Sequence, residues 1–149
     1  MGECYKVKLF AKLKELGDKW SFFLIDLVVL LDVDNTLLNT DLMRTRLEES
    51  LTEALGTTSA SQFWEFYEEV RLIADMVDIP STIERFEEAC SDNVTKEKVR
   101  TIFDEFPFRD NLYPDAVRVI EYLSEFSLPV ILSDGDQHYQ RDKIKGSGI

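Results

Sequence analysis

The sequence predicts an α/β protein: a small parallel sheet with a bundle of helices inserted between its strands. Three observations carry that prediction. Two runs rich in Val, Leu and Ile, one ending at Leu31 and one at Leu132, break off abruptly into aspartate-rich polar clusters. Between them lie four stretches whose apolar residues recur at helical spacing only. One further helical stretch then leads into the second run, so a helix joins the two strands, and such crossovers are parallel and right-handed.

The elements can be justified in chain order. Leu9, Leu13 and Leu16 are helically spaced and Gly17 follows them, which predicts a short helix within an N-terminal extension over residues 1–21. Lys6, Lys8, Lys12, Lys14 and Lys19 precede an apolar run, a superficial likeness to a signal peptide. The run is too short to span a bilayer, contains Asp26 and is followed by no small-residue cleavage site. Its continuous apolar character instead predicts a strand over residues 22–33, of the kind covered on both faces.

Residues 39–106 read as helices alone. Met43, Leu47, Leu51 and Leu55 form one stripe closed by Gly56. Phe63, Phe66, Tyr67, Val70 and Ile73 form a second, opened by Ser59 with Gln62 three residues on. Ile83, Phe86 and Cys90 form a third, opened by Ser81 with Glu84 in the same spacing, and Val99, Ile102, Phe103 and Phe106 form a fourth. Aromatic residues at such spacing build a bundle core more readily than a cofactor site. Residues 107–114 connect to a helix that starts near Pro114 and carries Val117, Ile120 and Leu123. A second strand follows at 129–132, and a last helix at 137–145, capped by Asp136. The chain therefore divides into the extension, a core made of 22–38 and 107–149, and a helical cap over 39–106.

Composition narrows the function classes. Hydrophobic residues make up 44% and charged residues 31% of the 149 positions, as in a globular protein. Cys4 and Cys90 form no metal or redox spacing, which suits a reducing, cytoplasmic setting. A net charge of −12 argues against binding to nucleic acid or anionic membrane, since both would be repelled. An anionic substrate would need local donors or a metal ion.

Ligands of open parallel sheets bind beyond the carboxyl ends of the strands, where both polar clusters fall. Asp32 and Asp34, two apart at the end of an extended segment, are expected on one side of it. Two adjacent carboxylates call for a cation, and Mg2+ takes one or two carboxylates together with phosphate oxygens. A carboxylate can also be a nucleophile that forms an aspartyl-phosphate, and a second can serve as acid and base. The backbone N–H groups of Asn35 and Thr36 could face an anion. At the second strand end, the Ser133 hydroxyl and the N–H groups of Asp134 and Gly135 could hold phosphate oxygens, with Gly135 permitting close backbone approach. His138 is expected to be exposed.

These residues carry a resemblance. The segment from Val28 to Leu37, read as V-V-L-L-D-V-D-N-T-L, resembles the first motif of the haloacid dehalogenase (HAD) superfamily, and V-I-L-S at 130–133 resembles its second. The four-helix insert resembles the cap in the first insertion point of that fold. Residues 113–116 and the Gln140, Lys143, Ile144 and 147–149 positions also resemble stretches flanking the second motif. The resemblance, over about residues 22–149, implies a Rossmann-like, HAD-like core and Mg2+-dependent hydrolysis of a small phosphorylated metabolite. It makes Asp32 the nucleophile and Asp34 the general acid/base, whose backbone carbonyl also ligates metal, with Ser133 on the transferring phosphate. Dehalogenases of the superfamily lack the second aspartate, so a phosphatase is favoured. A phosphomutase on the same site and a catalytically silent interaction module are the alternatives.

The superfamily's third motif, a lysine, and its fourth, an acidic pair, normally fall beyond position 149. The resemblance therefore implies an incomplete core, a weakly held Mg2+ and impaired turnover in this chain, with an open edge at residues 28–31 that favours self-association. Lys143, near Arg141 and Lys145, is the candidate substitute for that lysine, and its helical position predicts a solvated or sheet-packing side chain instead. Asp134 or Asp136 could stand in for the acidic pair.

Overall fold

The computed structural model describes residues 27–149. The helix expected at 7–17, the extension at 1–21 and the first part of the expected strand lie outside those residues. Strand β1 (Val28–Leu31) pairs in parallel with β2 (Leu128–Ile131), Val28 opposite Leu128 and Leu31 opposite Ile131. Six helices accompany them: α1 (Thr40–Leu55), α2 (Thr57–Ala74), α3 (Ile79–Ala89), α4 (Asn93–Asp104), α5 (Ala116–Ser124) and α6 (Gln137–Ser147). A 3-10 turn, Phe108–Asn111, sits between α4 and α5. This is the α/β arrangement that the sequence predicts, with α5 as the crossover between parallel strands. Among the described residues no helix is long and apolar enough to cross a membrane.

The inserted helices pack on their predicted stripes. Met43, Leu47 and Leu51 of α1 meet Ala60, Phe63 and Tyr67 of α2, Ile79 and Phe86 of α3, and Val99 and Phe103 of α4. Phe63 stacks on Phe103 at 5.3 Å between ring centroids and leans on Phe86 at 5.7 Å. The same cluster continues through Phe106 and Phe108 to Val33 and Leu38, so one continuous core runs from the insert to the turn after β1. That continuity fixes where the polar residues of the turn sit.

Several boundaries differ from the expectation, each for a local reason. Gly56, at φ +82°, ends α1 by donating its N–H to the Thr52 carbonyl, and α2 starts at the next residue, so Ser59 lies inside the first turn and does not cap. Asp78, not Ser81, caps α3: its carboxylate accepts the Ser81 N–H at 2.9 Å, with Pro80 in the first turn. Ile73 is 88% exposed because α2 runs past the bundle before Asp75 turns left-handed. Phe106 lies beyond α4 and is buried from the following loop.

The sheet departs most from expectation. β1 begins, within the described residues, at Val28 and alternates exposed and half-buried side chains. Val28 is 51% and Leu30 59% exposed, so one face of the strand is uncovered among the described residues, against the expected burial of both. Only Ala116 of α5 is fully buried, while Val117, Val119 and Tyr122 stand exposed.

Candidate active site

The paired strands bring the two polar clusters side by side. Leu132 donates its N–H to the Leu31 carbonyl at 2.8 Å, so Asp32 and Ser133 both leave the sheet at adjacent carboxyl ends. Beyond β1 the chain folds into a tight turn around the buried Val33. The Val33 carbonyl accepts N–H groups from Thr36, Leu37 and Leu38 at 3.3, 3.0 and 2.9 Å. Asn35 sits at φ +55°, a conformation that asparagine tolerates better than most residues, and its N–H donates to the Leu38 carbonyl at 2.8 Å. Asn39 then caps α1, accepting the Leu42 N–H at 2.9 Å.

This turn gives the two aspartates different surroundings. Asp32 is exposed, and its Oδ2 accepts the Thr36 hydroxyl at 2.7 Å. Asp34 is partly buried and surrounded by donors. Its Oδ1 accepts the Thr40 hydroxyl at 2.8 Å and the Lys143 ammonium at 2.5 Å, and its Oδ2 accepts the Gln140 side-chain amide at 3.2 Å. Burial pushes the Asp34 carboxyl upward, but the Lys143 hydrogen bond and charge, with Thr40 and Gln140, outweigh it and hold the pKa below the ordinary 3.8. Asp34 is therefore a firm anion at neutral pH.

Lys143 is the chief correction to the sequence reading. Its side chain is 3% exposed and pairs with Asp34, so it is neither solvated nor merely packed against the sheet. Gln140, Lys143 and Ser147 are the buried residues of α6, spaced by three and four along one helical face. From that face Gln140 and Lys143 donate to Asp34, and Gln140 also to the Asp134 carbonyl, while Ser147 bonds back to the Ile144 carbonyl. Burial and the neighbouring Asp34 charge also raise the Tyr139 phenol, whose ring lies 5.6 Å from the Lys143 ammonium. Asp136 caps α6 by accepting the Tyr139 N–H at 2.8 Å, and His138 is exposed.

The predicted anion-binding groups divide into two sets. The N–H groups of Asn35 and Thr36 are taken within the turn, by the Leu38 and Val33 carbonyls, so they are not free to face a ligand. The Thr36 hydroxyl instead orients Asp32. Across the sheet, the N–H groups of Ser133, Asp134 and Gly135 donate to no backbone carbonyl among the described residues. The Ser133 Oγ is buried and lacks a hydrogen-bond partner among them. A buried hydroxyl left open in this way is a group whose partner is to be supplied. Gly135, at φ +108°, does bring the backbone close to something, but to protein: a Cβ there would lie 3.2 Å from the Val77 carbonyl and 2.8 Å from the Gln140 amide. Asp136 donates its N–H to the same Val77 carbonyl at 3.1 Å, tying the loop after β2 to the insert.

A cavity of about 280 Å³ opens between α1, α2 and α6. Its lining includes Asp34, Lys143 and Gln140 together with Arg44, Trp64 and Tyr67. Thr40, Gln140 and Arg44 carry no role in the sequence reading. Thr40 and Arg44 are one turn apart on α1, a spacing visible in the sequence, but nothing there shows which face meets the strand ends.

Mg2+ fits this donor set poorly. The side chain of Asp34 is committed to an ammonium, leaving Asp32 and Asp134 as the exposed carboxylates beside the strand ends. No three His, Cys, Asp or Glu side chains converge among the described residues. Phosphate oxygens and water would have to complete any coordination shell.

No protein-family model matches the sequence, and no curated protein matches it in a sequence comparison. Solved structures do. A Burkholderia xenovorans protein described as a haloacid dehalogenase-like hydrolase superposes with a TM-score of 0.73 at 28% identity, over 82% of this chain and 55% of that one. The Bacillus subtilis HAD-hydrolase YfnB, solved bound to magnesium, superposes with a TM-score of 0.52 at 18% identity, over 82% of this chain and 60% of its own. The chain thus has the haloacid dehalogenase-like fold, and spans little more than half the length of these two neighbours.

Proposed function

We propose that this HAD-like chain carries the nucleophile and phosphate-binding part of a phosphomonoester hydrolase, acting on a small phosphorylated metabolite through an aspartyl-phosphate. The observation that carries the reading is the pairing of strand ends. It places an exposed aspartate, Asp32, next to a loop with an unpartnered serine hydroxyl and backbone N–H groups free of backbone partners.

In this mechanism an Asp32 oxygen attacks phosphorus while the ester P–O bond breaks and the leaving oxygen takes a proton. Thr36 orients the Asp32 carboxylate, leaving Oδ1 for attack. Ser133 Oγ and the N–H groups of Asp134 and Gly135 hold the nonbridging oxygens, a stabilisation that grows as charge develops in the transition state. Asp34 supplies the proton and then recovers it from the water that cleaves the acyl-phosphate, releasing inorganic phosphate and restoring Asp32.

Asp34 cannot donate while it is an anion paired to Lys143. An arriving phosphate dianion competes for the ammonium. Once Lys143 turns to phosphate, Asp34 loses the strongest of the groups that oppose its burial and keeps Thr40 and Gln140 as donors, so its pKa moves up toward the protonated form that the acid step uses. Lys143 so fills the role of a phosphate-neutralising lysine and sets the protonation of Asp34. Mg2+, bound in one neighbour, is assigned no step because the described donors do not form a resident site.

The test is turnover of an aryl phosphate by the wild type and Asp32→Asn. The variant should lose on the order of 1000-fold or more in kcat, as removal of a catalytic nucleophile does. Equal rates in the two proteins would eliminate the proposal. Absence of turnover in both, with or without Mg2+, would favour the silent interaction module.

A further inference from the structure

We propose that Arg44 is the specificity-determining residue of this site, selecting phosphate esters that bear a carboxylate at their far end. The inference deepens the phosphomonoester reading and rests on it for the identity of the phosphate end alone.

Arg44 lines the same cavity as Lys143 and Gln140. Its guanidinium stacks 3.7 Å from the centroid of the Trp64 ring and 4.7 Å from that of Tyr67. Stacking on two aromatic faces fixes the plane of the fork and lowers the entropy lost when it binds. Its donors remain available. Among the described residues no hydrogen bond engages the guanidinium, and Glu68 approaches only to 3.8 Å across an exposed gap while also facing Arg71 at 3.6 Å. Exposed, shared pairs of that length hold a cation loosely.

The spacing sets the ligand. Thr40, which touches Asp34, and Arg44 are four residues apart on α1, hence on one face and separated by about 6 Å along the axis. Asp34 and Asp134, which stand near Asp32 and Ser133 at the strand ends, line the same cavity as Arg44, so a ligand with its phosphate at those ends would extend its far end toward the guanidinium. The apolar part of the lining includes Met43 and Leu47 of α1 and Ile79 of α3. The other charged groups on the lining do not reverse the preference. Asp34 is paired with Lys143, Asp41 takes the Asn35 amide at 3.4 Å, and Asp134 is exposed at the strand end. A planar carboxylate suits the rigid fork better than a hydroxyl does, because it can accept two parallel hydrogen bonds.

The experiment separates this inference from hydrolysis. Binding of phosphonoacetate, 3-phosphonopropionate and 4-phosphonobutyrate is measured by NMR titration against ethyl-, propyl- and butylphosphonate, which lack the carboxylate. The wild type should bind at least one carboxylate-bearing member about tenfold or more tightly than its alkyl partner, the effect of one charge-assisted hydrogen bond. Arg44→Gln should bring the ratio to about one, and Arg44→Lys should keep part of it. Thermal melts of both variants establish that they are folded, and if Arg44→Gln is not, Arg44→Lys decides. Equal binding of both series by the wild type, no binding of either, or a preference that Arg44→Gln and Arg44→Lys leave intact would each overturn the assignment. If the preference holds but the matching phosphate esters are not hydrolysed, the hydrolase reading fails and the carboxylate site stands.

Discussion

Replacing Lys143 by Met removes the ammonium that Asp34 faces while keeping most of the buried stem. The wild-type pair joins a side chain 3% exposed to one 31% exposed. Deleting one partner of a fully buried pair costs roughly 3–5 kcal/mol, because the other charge is left without compensation. Asp34 keeps the Thr40 hydroxyl and Gln140 amide as donors and retains some contact with solvent, so the lower side applies, about 2–3 kcal/mol. At about 4 °C per kcal/mol for a chain of this size, the melting temperature should fall by roughly 8–12 °C. The pH dependence gives the argument a second edge. The folded Asp34 pKa lies below 3.8, so its stabilisation is present in full above that value and fades as pH drops through the lower, folded pKa. In Lys143→Met, burial is opposed only by Thr40 and Gln140, and the folded pKa rises. Protonation then relieves the unpaired charge, so the gap between variant and wild type should narrow as pH falls below about 4. A double-mutant cycle with Asp34→Asn should return a coupling energy, with the double variant less destabilised than the sum. Urea denaturation at several pH values measures all three. A variant within about 0.5 kcal/mol of wild type, with no narrowing in acid, would refute the reasoning.

Other perturbations follow from the same geometry. Gly135→Ala forces a Cβ to 2.8 Å from the Gln140 amide and 3.2 Å from the Val77 carbonyl at φ +108°, so it should destabilise by about 1–3 kcal/mol and shift the NMR signals of Gln140 and Asp34. Gly146→Ala should also destabilise, although alanine favours the helix by about 1 kcal/mol, because its Cβ would meet Phe108 Cδ2 at 2.7 Å; a thermal melt decides which effect wins. Mg2+ titrated alone should bind more weakly than about 1 mM, and more tightly once a phosphonate is present, since ligand oxygens must complete its shell. Micromolar binding of Mg2+ without any anion would refute the poor fit of this donor set to the metal.

What the sequence made legible follows from how far each signal reaches. Apolar periodicity is local and strong, so the stripes of the four inserted helices and both strands, expected at 22–33 and 129–132 and found at 28–31 and 128–131, could be read to within a few residues at their carboxyl ends. The D-x-D segment and Ser133 could also be placed, because polarity that breaks an apolar run marks the end of a strand. Caps were harder, since Ser59 and Ser81 have the right chemistry but Gly56 and Asp78 lie nearer the turns that the chain actually makes. The residues that give the site its character were hardest. Lys143 looks like any lysine on a polar helix until α6 is docked, and only docking shows that its face points at Asp34. Arg44 sits on an amphipathic helix where a surface position is the default, and only the approach of α2 puts Trp64 and Tyr67 beneath it. Both depend on which face of a helix meets another element, Asp34 after β1 for Lys143 and α2 for Arg44. Binary patterning fixes that a helix buries one face; it does not say that the buried face carries the charge. An inward polar face such as Gln140, Lys143 and Ser147 is costly unless its groups are partnered, and on α6 Gln140 and Lys143 find their partner in Asp34 while Ser147 bonds back to the Ile144 carbonyl.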